Sequence, residues 1–262
     1  MGLLPKFIDD AAGPPAQAVG GTLSNIWELC IGNHVSLWIK KQEVRQQQNL
    51  QDYIRRVEEK TQSIPEEYIQ EPSLHIVGPA IDASKYYIDS EELREMFANL
   101  IASSIDSRKS GETHPSFVEI IKQLSPEDAG VLINFKFHKE LPISQICLVS
   151  SDKTFHTTHT HIMNFGSTDR YKSQVKSLSS LQRLGLIEID YTFHSTKKFA
   201  YEYVKTHPAF QEAQESLTQY NQDVSLEVVQ LTETSSQFDK VSFVKGLCTI
   251  TPLCESFIDV CL

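Results

Sequence analysis

The stretch SLSSLQRLGLIEIDY, residues 177 to 191, changes its hydrophobic period part-way along. Leu178, Leu181 and Leu184 repeat at helical spacing and predict one apolar stripe. Gly185 follows, the residue that most cheaply adopts the left-handed turn after a helix. Beyond it Ile187, Ile189 and Tyr191 alternate with Glu188 and Asp190, a period of two that predicts a strand. A helix from about 169 to 184 feeding a strand is the order seen between the recognition helix and the wing of a winged helix.

The same reading gives the remaining elements. Residues 40–63 form a polar helix with a thin stripe of Val44, Leu50, Tyr53, Ile54 and Val57, ended by Pro65. Three helices follow. One starts near Pro72 and contains Pro79. One is capped by Ser90 with acids in its first turn, and one starts near Pro115. Ser125, Pro126 and Asp128 make a strong helix start. LPISQICLV reads as a short strand or turn-helix, and SSDKTFHTTHTHIMNFGSTD as an exposed loop with a strand inside. A helix over 208–220, strands over 226–232 and 241–250, and a last helix from Thr251–Pro252 complete the chain. The fold class is therefore α+β, mostly helical. An N-terminal helical segment (1–63) and a helical module (64–124) precede a winged-helix-like module (125–262).

Residues 11–39 stand apart. Across those 29 positions the only formal charge is Glu28. Ala12, Ala16, Gly20 and Ser24 form a ladder of small residues at a spacing of four, which lets helix backbones approach closely. One reading is a helix buried against partner helices. The other is self-association or membrane contact through Ala16, Gly20, Leu23, Trp27 and Ile31. The stretch is too polar and glycine-rich to read as a membrane span.

Composition narrows function. The net charge of -10 counts against a free-standing nucleic-acid binder, and the acid excess is spread over both halves. Five cysteines without a Cys-x-x-Cys pair read as small buried hydrophobes. The N-terminus lacks the basic start and apolar run of a secretory signal. No nucleophile elbow, zinc-protease helix, phosphate loop or dinucleotide fingerprint occurs, so no cofactor is expected and an enzyme is the less favoured reading.

Two local signals carry candidate chemistry. His156, His159 and His161 lie within six residues, and imidazole is a common metal ligand; Asp152 or Asp169 would have to complete such a site. The spacing fits no established metal motif, and a solvated loop is the simpler reading. The helix ending at Leu184 carries Arg170, Lys172, Lys176 and Arg183 with no acid between Asp169 and Glu188. Phosphate contact favours such a face. Ser173, Gln174 and Ser177 are only fair readers of base edges, so a protein contact or a solvated face competes with DNA binding.

Several stretches together resemble the Abi-alpha (abortive infection) family over about residues 64 to 262. They are IPEEYIQEPSLHIVGPAIDASKYYIDSEELREMFANLIASSID, HPSFVEIIKQLSPEDAGVL, and the pair LQRLGLIEI and ITPLCESFIDVCL. The resemblance implies a bacterial or phage-borne cytosolic protein with a part in defence against phage. It carries over no catalytic residue. It marks Pro79, Tyr86, Tyr87, Arg94, Phe97, His114, Pro115, Phe117 and Pro126 as structural anchors.

The expectation is a non-enzymatic, cytoplasmic interaction protein. It would form a homo-oligomer, meet a protein partner in a defence system, or touch the inner membrane peripherally through its N-terminal helices. DNA or nucleoprotein binding by the 169–184 helix is the alternative, and a metal-dependent enzyme using the histidine loop is a third.

Overall fold

The computed structural model describes residues 6–8, 12–32, 44–151, 153–164, 170–225 and 238–262. The strand expected over 226–232, residues 33–39 and both Asp152 and Asp169 lie outside these. The chain divides into two compact units, Met1–Lys136 with Pro252–Leu262, and Phe137–Thr251. The protein is mostly helical α+β, as its periodicity predicts.

The first unit holds α1 (Pro14–Trp27, running on as a π turn over Glu28–Gly32), α2 (Val44–Gln62), α3 (Leu74–Ser84), α4 (Glu91–Ile105), α5 (Ser116–Gln123) and α6 (Pro126–Phe135). Its centre is α4. The Ser90 hydroxyl accepts the Leu93 N–H at its start, and Leu93, Met96, Phe97, Leu100, Ile101 and Ile105 are all buried. The polar side of α2 is tied to α4 by Arg56, which reaches Glu91 at 2.9 Å and Glu95 at 2.6 Å. At the head of α6, Ser125 and Asp128 form a reciprocal capping box.

The small-residue ladder of α1 packs inside this unit. Ala16, Val19, Gly20, Leu23 and Trp27 are buried. A Cβ on Gly20 would meet the Ile8 Cβ at 3.0 Å, so glycine there allows the residues before α1 to lie against it. The Trp27 ring lies 5.5 Å from Phe7 and 5.6 Å from Tyr53. Of the five residues offered for membrane or self-association, these four are enclosed by their own chain, and the Ile31 side chain is outside the described residues. To meet a bilayer or a second copy, that face would first have to leave the unit. Among the described residues no helix is long and apolar enough to cross a membrane.

The last helix, α9 (Pro252–Cys261), belongs to the first unit. Phe257 sits edge-on to Phe117 at 5.3 Å. Asn99 and Ser103 of α4 donate to the carbonyls of Cys261 and Val260. This corrects its expected place as the closing helix of the C-terminal module. Its buried stripe of Cys254, Phe257, Val260 and Cys261 finds its apolar complement among the first unit's helices. The units therefore differ from the expected segments 1–63, 64–124 and 125–262, since α6 and α9 both join the N-terminal helices. Of the motif residues, Phe97 and Phe117 are core and Arg94 donates to the Ile88 carbonyl, whereas Pro79, Tyr86, His114 and Pro115 are exposed.

The second unit is an antiparallel sheet in the order β2-β1-β4-β3. Its strands are β1 (Glu140–Val149), β2 (Phe155–Met163), β3 (Ile187–Asp190) and β4 (Lys240–Ile250). Two helices pack on it, α7 (Tyr171–Arg183) and α8 (Pro208–Ser225). β1 and β4 pair along their whole lengths, from Glu140 opposite Thr249 to Val149 opposite Lys240. Gly185 has φ +72°, and the Leu186 N–H returns to the Leu181 carbonyl, so the helix–glycine–strand reading holds in detail. Leu178, Leu181 and Ile187 are core, while Leu184 is half-buried. The topology does not establish a winged helix. β3 pairs with β4 across a connection that contains α8, where a wing would be a short hairpin.

Trp27→Ala tests whether α1 is core. We expect a loss of about 3–5 kcal/mol in denaturant unfolding. A loss below about 1 kcal/mol would mean α1 is not packed as described.

Candidate binding cleft

After β3 the chain runs through residues 191–201 into a short 3-10 helix, Glu202–Thr206. Its course is fixed at Gly246 of β4. A Cβ at 246 would lie 2.5 Å from Tyr191 Cδ1 and 2.7 Å from the Asp190 carbonyl, so a side chain is excluded. The buried Tyr201 hydroxyl then donates to the Gly246 carbonyl at 2.7 Å and accepts the Ser195 N–H at 2.9 Å. One phenol thereby anchors both ends of the loop to the sheet.

Between this loop, the 3-10 helix and β4 lies an open cleft of about 790 Å³. Lys197, Lys198, Lys205 and Lys245 line it, against a single acid, Glu202. All four lysines are exposed and none is ion-paired among the described residues. Aromatic groups alternate with them. The Lys198 Nζ stands 4.8 Å from the Phe199 ring centre, and the Lys245 Nζ 5.3 Å from that of Tyr201. Phe199 is 62% exposed and has φ +68°, a left-handed conformation costly for a residue with a bulky side chain. Phe193, 70% exposed, belongs to the same loop. A cleft with this lining can bind an anion; His194, Ser195 and Thr196 also line it, with no hydrogen bond between the imidazole and a hydroxyl among the described residues.

The residues singled out from the sequence lie elsewhere. Arg170, Lys172, Lys176 and Arg183 sit on the exposed side of α7 or at its start. Lys172 reaches the Glu212 carboxylate of α8 at 3.2 Å, and His159 reaches the same carboxylate at 3.5 Å. The three histidines lie on β2, and each meets a different neighbour. His156 lies near the Phe238 ring, His161 hydrogen-bonds and stacks on Tyr191, and His159 turns to Glu212 and Tyr171. β2 is irregular here, with broken register around Ile146 and φ +57° at His161, so the even alternation that would align His159 with His161 fails. Among the described residues no group of three or more His, Cys, Asp or Glu is disposed to hold a metal. Cys147, Cys248, Cys254 and Cys261 are buried. Burial pushes the Cys254 thiol up to about 12, away from the range where a thiolate nucleophile works.

Sequence reasoning missed a buried polar group beside His159. His207 is 3% exposed; its Nδ1 accepts the Ala209 N–H, and its Nε2 has no hydrogen-bond partner among the described residues. The Tyr171 ring lies edge-on to it at 5.1 Å. Burial, and then the neighbouring His159, hold the His207 imidazole below its ordinary value, although the Glu212 charge opposes this. Glu212 is itself held below the usual carboxylate range by Tyr171 first, then by Lys172 and His159. No local motif announces this cluster, because its members come from β2, α7 and the start of α8.

The fold and cleft thus define a mostly helical α+β protein with a lysine-lined cleft in its second unit. The family model described as abortive infection alpha matches residues 45–261, and the chain belongs to that family. No curated protein and no solved structure matches it.

The depressed histidines predict a direction in pH. Unfolded His207 and His161 take up protons near the ordinary value of about 6.5, whereas burial resists this in the fold. Stability is therefore full above about 6.5 and falls as pH drops through the lower folded values. The urea midpoint of the intact protein should be lower at pH 5.5 than at 7.5, with a smaller drop in a His161→Asn/His207→Asn variant. An equal drop in both proteins would contradict this assignment.

Proposed function

We propose that this protein is a non-enzymatic component of abortive-infection defence that works by binding, with its second unit as the recognition unit. The observation that carries the reading is the cleft, where four lysines without an ion pair among the described residues converge beside the exposed Phe199 ring on a chain of net charge -10. Local positive charge on an acidic protein concentrates anions where it lies. In this reading the protein acts in the cytoplasm, as a homo-oligomer or together with another protein of the defence. Contact with the inner membrane would need α1 to leave the first unit, because its apolar face is enclosed there.

The α7 face is the competing anion site. The cleft is favoured because Lys172, central to that face, is already paired with Glu212. Fluorescence anisotropy with labelled inorganic polyphosphate separates the two. Binding should weaken as salt rises, since each phosphate contact releases counterions. A Lys197→Ala/Lys198→Ala/Lys245→Ala variant should lose at least about ten-fold in affinity, while Lys176→Ala/Arg183→Ala stays near the intact protein. The reverse pattern would move the site to α7, and no binding even at low salt would remove the reading.

A further inference from the structure

We infer that the anion taken by this cleft is single-stranded nucleic acid, with a base stacked on Phe199 and neighbouring phosphates held by Lys197, Lys198, Lys205 and Lys245. The inference rests on the cleft being an anion site.

Three observations select this ligand. The first is Phe199. A large apolar ring is 62% exposed on a residue whose backbone is left-handed, at φ +68°. Glycine would adopt that conformation without strain, and any polar side chain would be better solvated. Both unfavourable features coincide on one residue, and it lines the cleft. An aromatic face open to solvent beside ammonium groups is the platform on which successive bases stack while cations follow the backbone.

The second is the state of the loop's backbone amides. Ser195 N–H is donated to the Tyr201 hydroxyl, Lys197 N–H to the Ser195 hydroxyl, Ala200 N–H to the Lys197 carbonyl and Glu202 N–H to the Phe199 carbonyl. A compact anion such as free phosphate is best held by converging backbone N–H groups, and four of this loop's are turned to partners within the loop. Exposed lysines alone hold one small anion weakly. They hold a chain of phosphates well, because each contact adds to the last.

The third is shape. The lysines and Phe199 line a concavity, whereas duplex DNA is read by an element that projects into a groove. An aromatic wedge for a bilayer would likewise have to project from the surface. A flexible single strand can enter a cleft and turn a base onto a ring.

The test is anisotropy on the full chain with five probes: labelled oligo-dT and oligo-U of about twelve nucleotides, a duplex of equal length, polyphosphate of matched charge, and vesicles containing an anionic phospholipid. The single strands should bind most tightly, and the two oligonucleotides tell whether the sugar matters. Phe199→Gly, which relieves the left-handed backbone and so leaves the fold intact, should weaken single-strand binding about five-fold or more and leave polyphosphate binding unchanged. Phe199→Trp should restore it. If Phe199→Gly binds single strands like the parent, or duplex binds as well as single strands, the inference is overturned while the anion site stands. Vesicle binding that depends on Phe199 and exceeds strand binding would also overturn it, in favour of a membrane surface. Failure of every probe at low salt would remove the anion site itself.

Discussion

Gly246 has no room for a side chain, and the second unit is arranged around that fact. β4 lies between β1 and β3, and at 246 the end of β3 presses directly on its backbone. The Gly246 carbonyl is left open to the Tyr201 hydroxyl, which also takes the Ser195 N–H. A buried phenol that both donates and accepts is fully satisfied, so the loop carrying Phe199 and two lysines is held by a contact that costs little to bury. With a larger residue at 246 the loop could not lie where it does, and the cleft would lose one wall.

Held in this way, the cleft keeps its charge concentrated. Several cations elsewhere are neutralised. Arg56 and Lys60 are paired with acids of α4, Lys122 with Glu119, and Lys172 with Glu212. Among the described residues the four cleft lysines have no ion pair, and two of them stand over the rings of Phe199 and Tyr201. The histidines are spread among separate neighbours, and the thiols are pushed up by burial.

Much of the fold was legible because its elements are punctuated by residues with one physical job. Ser90, Ser125 and Pro126 start helices, Gly185 ends one, and the stripes of α2, α4 and α7 are the buried ones. The fate of α9 was not legible, since an apolar stripe does not say which unit will cover it. The cleft was only partly so. HSTKKFAYEYVK interleaves basic and aromatic residues, a less regular pattern than the basic face of α7. Lys245 joins it through strand pairing, and no local pattern encodes that. The α1 ladder was ambiguous because close backbone approach serves a soluble core as well as a dimer or a bilayer. In the structure Gly20 lies against Ile8 and Trp27 against Phe7.

Hydrogen exchange of the intact protein with and without saturating oligo-dT tests the central claim most directly. The account predicts added protection confined to residues 194–206 and 243–245, with α7 unchanged. Protection on α7 alone, or none in the second unit at a concentration where the oligonucleotide is bound, would contradict it.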